Sequence, residues 1–174
     1  GDKRYRFAAD SSKITGASFI PTRLLSLGHG MNATNTNIGG WNGSAMREFC
    51  NGRVYDAFPI EWKSIIKKVQ IPASAGNRTS DIVYSKDYVY LPSYAEVFAT
   101  PESEDPYTSE GKIITFFNTD ADRVKTMNGA ASIWYLRSAE VSYNTYFRSV
   151  SAQGNLNGYV VSSRSLGICP CISI

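Results

Sequence analysis

The sequence predicts an α+β fold in which short helices pack on a small antiparallel sheet and the C-terminal third is rich in strands. Segments with helix start signals precede residue 130, whereas β-forming runs separated by turn residues fill the chain from residue 133 onward. Of the 174 residues, 43% are hydrophobic and 19% are charged. A chain of this length can bury a large core, so we expect residues 1–174 to form a single domain, the C-terminal part of a longer protein.

Four short helices are predicted from residues that begin or cap helices. Asn42 or Ser44 is placed to cap the first helix. Pro59 suits the first position of the second helix, where the backbone N–H has no helical partner in any case. Thr119 and, three residues later, Asp122 form a capping box at the start of the fourth. The predicted helices span residues 44–50, 59–69, 93–98 and 120–127.

The strands are predicted from short apolar or aromatic runs that end in turn residues. Gly154-Asn155 and Asn157-Gly158 mark the turn of a hairpin. In the last strand, which we expect at or near the centre of the sheet, isoleucines alternate with period two. Pro170 predicts a kink there, with pairing resumed from Cys171. The predicted strands span residues 17–20, 82–84, 88–91, 133–138, 146–151, 158–163 and 168–174.

Two segments are predicted to lack regular structure. Residues 28–43 combine glycine and asparagine at a density that favours turns, and we expect a mobile loop there. They include His29, the only histidine, which we expect to be exposed to solvent. Residues 100–112 begin with an acidic run that we expect to form a solvated surface loop. Calcium binding by that run is the alternative.

Composition and motifs exclude several function classes. The formal net charge is only +3 and basic residues are adjacent only as pairs, at Lys3-Arg4 and Lys67-Lys68, so nucleic acid is not expected as a partner. No apolar run approaches the ~18 residues of a membrane span, so membrane insertion is not expected. The sequence contains neither a phosphate-binding loop nor the Cys/His spacing of a zinc site. We therefore expect no cofactor, no metal site and no enzymatic activity.

The remaining groups with catalytic potential have structural interpretations. Cys50, Cys169 and Cys171 do not make an even disulfide framework and are interpreted as buried thiols. On one strand, the last two of these cysteines would face the same side. Asp120 and Asp122 could act as an acid and base pair, but helix capping explains them better. A hydrolase that uses an acidic pair is the alternative.

Residues 142–165 have the composition of a recognition surface. They consist almost wholly of Ser, Tyr, Asn, Gly, Arg and Val. Tyrosine gives rigid amphipathic contact area, and Ser, Gly and Asn give adjustable hydrogen bonds. Ordinary packing at a sheet edge is the alternative for the tyrosines. The candidate ligand-binding residues are Tyr143, Asn144, Tyr146, Arg148, Asn155, Asn157, Tyr159 and Ser163.

Several motifs resemble a domain that is widespread in gut bacteria and their phages. Residues 40–49 (GWNGSAMREF) resemble its W-x-x-S-x-x-R-x-x-L element, and residues 91–98 (LPSYAEVF) resemble its L-L-S-x-x-E-V-F segment. Residues 134–138 (WYLRS) are similar to its Y-W-L-R-S signature, with the two aromatic residues exchanged. The chain end resembles its G-V-R-P-A-F-x-I close, with Cys169 in place of arginine. The resemblance covers residues 40–174.

The same ending resembles C-type-lectin-like domains of the formylglycine-generating-enzyme type. That group includes the variable receptor-binding proteins of diversity-generating retroelements. The resemblance implies a C-type-lectin-like fold, a location outside the cell on a virion or cell surface, and receptor binding or adhesion by a phage tail or bacterial surface protein. The implied partner is a cell-surface glycan or protein, and any homo-oligomer would form through the parent protein.

Two alternatives to a binding module follow from the same features. A purely structural tail or pilus domain would pack its Tyr-Asn-Ser face against a partner chain. A copper enzyme of the formylglycine-generating type binds its metal through two cysteines near the C-terminus. Cys169 and Cys171 lie near the end of this chain, but they are too closely spaced to match, so that role is not carried over.

Overall fold

The computed structural model describes residues 6–7, 17–98 and 107–174, except for the side chains of residues 6, 7, 17, 158 and 159. The acidic run at residues 100–106 and the side chain of Tyr159 therefore lie outside the described part of the chain.

The described residues form a mixed α and β structure with short helices and several small antiparallel sheets. A π-helical turn, Cys50–Val54, directly follows the first helix, and a 3-10 turn spans Tyr107–Ser109. The α-helices are α1 (Ala45–Phe49), α2 (Ile60–Lys63), α3 (Tyr94–Val97) and α4 (Asp120–Arg123).

The strands are β1 (Arg6–Phe7), β2 (Ala17–Phe19), β3 (Val69–Ser74), β4 (Ile82–Asp87), β5 (Val89–Tyr90), β6 (Thr126–Met127), β7 (Ala130–Ala131), β8 (Trp134–Ala139), β9 (Tyr146–Val150), β10 (Leu156–Val161) and β11 (Cys171–Ser173). They form a four-stranded sheet in the order β1-β2-β11-β5, a three-stranded sheet in the order β10-β9-β8, and the hairpins β3-β4 and β6-β7. Every pairing between these strands is antiparallel. The buried apolar side chains form one cluster between the sheets and helices.

The predicted helix starts at α1 and α4 are confirmed. Ser44 is the N-cap of α1, and its hydroxyl accepts a hydrogen bond from the Arg47 N–H over 3.1 Å. Thr119 and Asp122 form the predicted capping box at α4. These local hydrogen bonds satisfy N–H groups that the first turn of a helix leaves without a helical partner.

Two predicted helices are shorter than the sequence indicated. α2 ends at Lys63 and Val69 opens β3, while α4 ends at Arg123 and is followed by β6. In both cases the chain enters a hairpin, β3-β4 or β6-β7, and strand pairing there replaces the predicted helical pattern. Strand β3 was not predicted, because it contains Pro72, which has no N–H to donate; in the structure Pro72 pairs with Tyr84 of β4.

Strand β8 lies between two packed layers. All six of its residues are buried, so both faces of the strand contact other parts of the molecule. One edge pairs with β9. On the other edge, the Tyr135 N–H donates to the Gly167 carbonyl over 3.2 Å and the Arg137 N–H donates to the Pro92 carbonyl over 2.9 Å. The side chains of β8 therefore contact only the interior of the molecule.

The C-terminal strand has the predicted position. β11 lies between β2 and β5 in the four-stranded sheet, and its pairing resumes at Cys171, after Pro170. Ile172 pairs with Val89 on one side and with Phe19 on the other. Within residues 6–7, 17–98 and 107–174, no helix is both long and apolar enough to cross a membrane.

Candidate functional site

Three segments that are distant in the sequence lie side by side: residues 32–38, 142–146 and 162–164. The Asn37 N–H donates to the Asn144 carbonyl over 2.8 Å, and the Asn32 N–H donates to the Ser162 carbonyl over 3.0 Å. The Ser162 N–H donates in turn to the Thr145 carbonyl over 2.9 Å. Backbone hydrogen bonds thus join each segment to the other two. The outer side of these residues is named the three-loop surface.

The side chain of Asn37 holds the second segment in place. It is fully buried, and its Nδ2 lies 2.8 Å from the Glu140 carbonyl oxygen, 2.7 Å from that of Tyr143 and 2.9 Å from that of Tyr146. Its Oδ1 accepts a hydrogen bond from the Asn77 N–H over 2.9 Å. Buried polar groups need such partners, so this one amide fixes the turn that carries Tyr143.

Two glycines allow the first segment to pack closely against its neighbours. Gly40 has φ of +53°, and a Cβ atom there would lie 1.9 Å from the Ser74 carbonyl oxygen. Gly76 has φ of +68°, and its Cβ would lie 2.0 Å from the Asn37 carbonyl oxygen. Only glycine fits such positions without moving the backbone. The segment is irregular, as predicted, yet it is tied to the rest of the fold.

The only histidine lies in the predicted loop at residues 28–43, and its expected exposure to solvent is corrected. His29 is half-buried and exchanges backbone hydrogen bonds of 3.0 and 3.2 Å with Leu166. Its ring stacks on Phe49 with 4.5 Å between the ring centroids. Aromatic stacking and strand-like pairing explain a position that composition alone assigned to solvent.

Side chains of the third segment also bond to the first. The Ser162 hydroxyl donates to the Thr34 carbonyl over 3.0 Å. The Ser163 hydroxyl donates to the Asn35 side-chain oxygen, which the Ser163 N–H reaches over 3.4 Å. Thr34, Asn35 and Ser163 are exposed, so these groups can also exchange hydrogen bonds with a ligand.

The three-loop surface presents two large apolar side chains among small polar ones. Tyr143 is 47% exposed and Ile38 is 57% exposed. The ring of Tyr143 meets the ring of Tyr146 edge to face, with 5.5 Å between centroids. The polar exposed residues of the surface include Thr34, Asn35, Ser142 and Ser163.

The predicted binding residues fall at different places in the structure. Four belong to the three-loop surface: Tyr143, Asn144, Tyr146 and Ser163. Asn155 and Asn157 lie at the other end of the β9–β10 hairpin, where Leu156 pairs with Val150. The residue steps along β9 put about 14 Å between these two ends. The structure therefore does not bring all the predicted residues together.

Arg148 is not part of any surface, which corrects its predicted placement. It is buried, and its Nε lies 2.8 Å from Oε2 of the buried Glu140. Its guanidinium lies 5.5 Å from the ring centroid of Tyr94 and 5.0 Å from that of Tyr107. A partner carboxylate and two aromatic rings make burial of this charge tolerable.

The first segment, residues 32–38, was not predicted to belong to the site. Its composition could have indicated that role, because Asn-Ala-Thr-Asn-Thr-Asn at residues 32–37 uses residue types that also occur in residues 142–165. Its meeting with the hairpin depends on contacts more than 100 positions apart, such as that of Asn37 with Tyr143. Local patterns do not report such contacts.

An ion pair between the buried Arg137 and the partly exposed Glu96 joins two of the motifs that carried the family resemblance. Arg137 donates from Nη1 to Glu96 Oε2 over 2.6 Å and from Nη2 to Glu96 Oε1 over 2.9 Å. It also donates to the Pro72 and Leu91 carbonyls, each over 2.9 Å, and to the Glu110 carbonyl. The bidentate pair links β8 to α3, so these motif residues build the scaffold.

The buried carboxylate of Asp87 organises the motif at residues 40–49. Asp87 accepts from the Trp41 indole over 2.8 Å and from Nε of Arg47 over 2.7 Å. The Ser85 hydroxyl donates to the same carboxylate over 2.5 Å. The tryptophan and arginine of the W-x-x-S-x-x-R element therefore converge on β4. We find a structural explanation, not a ligand site, for these residues.

Glu110 is buried between β3 and β8. The Ser74 N–H donates to its Oε1 over 2.6 Å, and the Ser138 hydroxyl donates to its Oε2. Burial raises the pKa of this carboxyl above its usual 4.5, against the opposing effects of Arg137, Ser138 and Ser74.

Replacing Glu110 with glutamine should change how stability depends on pH. Because the pKa of Glu110 is raised in the folded state, its stabilising contribution is full below the unfolded pKa of 4.5 and is lost as pH rises through the folded pKa. Urea unfolding at several pH values should therefore show the wild type losing stability relative to Glu110→Gln above pH 4.5. A constant difference, or one that grows in favour of the wild type, would contradict this.

The three cysteines are buried free thiols, as expected from the sequence. Burial raises the pKa of Cys50, and burial together with Cys169 raises that of Cys171. Burial also acts to raise the pKa of Cys169, but hydrogen bonding from Cys171 and the positive charge of Lys125 lower it overall. Within the described part of the chain, no three side chains of His, Cys, Asp or Glu form a group that could hold a metal ion.

Comparison with known proteins identifies a family. The model of a domain of unknown function, DUF6273, matches residues 16–174. No curated protein and no protein of solved structure matches the chain. Since the match spans nearly the whole sequence, the chain belongs to the DUF6273 family.

Proposed function

We propose that this domain is a ligand- or receptor-binding module of a phage tail or bacterial surface protein. It acts outside the cell, on a virion or cell surface, and recognises a cell-surface glycan or protein through the three-loop surface. Its fold is proposed to be C-type-lectin-like, and the domain to be related to the variable receptor-binding proteins of diversity-generating retroelements. The domain is proposed to act without a cofactor and without catalysis.

The observation that carries the proposal is the contrast between scaffold and surface. Arg137 pairs with Glu96 and donates to the Leu91 carbonyl, and the buried Asp87 accepts from Trp41 and Arg47 of the first motif. The exposed side of the three-loop surface instead carries a partly exposed tyrosine among amides and hydroxyls, on segments fixed by backbone hydrogen bonds. Binding residues are commonly displayed in this way, on loops that a rigid scaffold positions.

A surface variant with a matched control tests the proposal. The variant combines Asn35→Ala, Tyr143→Ala and Ser163→Ala, all at exposed positions, so the fold should survive. Tyr84→Ala is the control, since Tyr84 is 59% exposed but lies on β4, outside the three-loop surface. Fluorescently labelled protein is added to intact gut bacterial cells and measured by flow cytometry.

The triple variant should lose cell binding, whereas Tyr84→Ala should bind like the wild type. Equal binding of the triple variant and the wild type would contradict the proposal. Treating the cells with periodate, which cleaves glycan diols, or with protease separates a glycan from a protein receptor.

The second candidate function is a structural tail or pilus domain, which a different surface favours. Around α2, Ile60 is 73% exposed and Ile65 is 49% exposed, next to Trp62, whose ring contacts Phe19 and Phe58. Exposed apolar groups of this kind can pack against another chain. This candidate predicts that Ile60→Ser and Ile65→Ser weaken assembly of the parent protein, measured by light scattering, without changing cell binding.

A further inference from the structure

We infer that the ligand of the three-loop surface is an uncharged glycan, with one sugar ring lying on the ring of Tyr143. The inference rests on the proposed binding function and narrows it to one class of ligand. Nothing in the sequence patterns selected this class, because it depends on which side chains the fold leaves exposed together.

The three-loop surface carries no cluster of charged side chains. Its exposed side chains, apart from Arg164 at one margin, are uncharged: Ala33, Thr34, Asn35, Ile38, Ser142, Tyr143 and Ser163. The nearby Glu140 is buried and paired with Arg148. Sites for phosphate or carboxylate groups instead gather several arginines or lysines around the anion. The charge of this surface therefore favours a neutral ligand.

The apolar groups of the three-loop surface are placed to contact a sugar ring. Asn37 bonds through its side chain to the Tyr143 carbonyl, and Ile38 is the next residue, so the two exposed apolar side chains leave neighbouring backbone. A pyranose ring has one face made largely of C–H groups, which packs against an aromatic ring. Tyrosine offers such a face and keeps a hydroxyl at its wet edge.

The three-loop surface is preorganised for a ligand. The ring of Tyr143 is supported edge to face by Tyr146, with an interplanar angle of 75°. The turn that carries it is fixed by the buried amide of Asn37. A ligand that binds here orders few side chains, so little free energy is lost on ordering the site. Small ligands such as oligosaccharides make few contacts, so their affinity depends strongly on a low free-energy cost of ordering the site.

The hydrogen-bonding groups of the three-loop surface match those of a sugar. The Asn35 amide and the hydroxyls of Ser142, Ser163 and Thr34 can each donate and accept. Sugar hydroxyls have the same dual character, so they can exchange with the present bonds, such as that from Ser163 to Asn35, at little cost. A protein receptor would instead need a larger surface with central buried aromatic or arginine anchors.

The test is a glycan array probed with labelled wild-type protein. The array contains neutral hexose and N-acetylhexosamine oligosaccharides, each paired with a uronic or sialic acid counterpart of the same linkage. The wild type should prefer the neutral member of the pair. Tyr143→Ala should bind the neutral glycan about tenfold more weakly, whereas Tyr143→Phe should stay within about threefold. The control Tyr84→Ala should match the wild type.

Preference for the acidic members, equal binding by Tyr143→Ala, or no binding to any neutral glycan would overturn the inference. The cell experiment separates this failure from failure of the proposed function. If cell binding depends on the three-loop surface, resists periodate and is lost after protease treatment, the result supports the binding function but shows that the ligand is not a glycan. If the protein binds no neutral glycan and the triple variant binds cells as well as the wild type, both the glycan inference and the proposed binding function are rejected.

Discussion

Replacing Arg137 with methionine should lower the free energy of unfolding by about 3–5 kcal/mol. Methionine fills much of the same space but removes the guanidinium that donates to the Glu96 carboxylate and to the Pro72, Leu91 and Glu110 carbonyls. Since domains are stable by only ~5–15 kcal/mol, the variant should be close to unfolding at 37 °C. Urea denaturation monitored by tryptophan fluorescence measures the loss.

Two further variants separate the geometry of Arg137 from its charge. Arg137→Lys keeps the positive charge but cannot form the bidentate pair with Glu96, so it should also be clearly destabilised. Arg164→Met removes an exposed arginine and should change stability by less than about 0.5 kcal/mol. A loss for Arg137→Met as small as that of Arg164→Met would show that the ion pair does not hold β8 to α3.

Replacing Asn37 with alanine should destabilise the protein by at least about 2 kcal/mol and loosen the turn that carries Tyr143. The substitution removes the donor that reaches the Glu140, Tyr143 and Tyr146 carbonyls. Hydrogen exchange should accelerate at the amides of residues 140–146, and ligand binding should weaken although Asn37 itself is buried.

The matched control for Asn37 is Asn155→Ala, at an exposed asparagine on the opposite end of the hairpin. Its stability and its exchange rates at residues 140–146 should equal those of the wild type. If Asn37→Ala leaves those exchange rates unchanged, the buried amide does not organise the three-loop surface.

Local features of the fold were predictable from the sequence because their causes are local. The cap at Ser44 and the capping box of Thr119 with Asp122 depend on residues within one helical turn. The resumed pairing at Cys171 follows from the missing N–H of Pro170. The mixed α and β class follows from the order of such segments along the chain.

Features that depend on distant contacts were not predictable in the same way. β3 contains Pro72, which a two-stranded sheet tolerates because one edge of β3 has no strand partner in the described part of the chain, and whose carbonyl accepts from the distant Arg137. Arg148 looked like a surface residue by composition, because its partner Glu140 and the rings around it are brought together by the fold. Residues 32–38 looked like a mobile loop for the same reason, since Asn37 finds its partners around position 140.

The most direct test of the central claim maps the binding surface by solution NMR. The uniformly ¹⁵N-labelled domain is titrated with the neutral oligosaccharide that binds it best on the array, and backbone amide shifts are followed. The largest changes should fall at residues 32–38, 142–146 and 162–164, which the structure brings together. Changes centred instead on residues 151–155 or around Ile60 and Ile65 would contradict the assignment of the three-loop surface as the binding site.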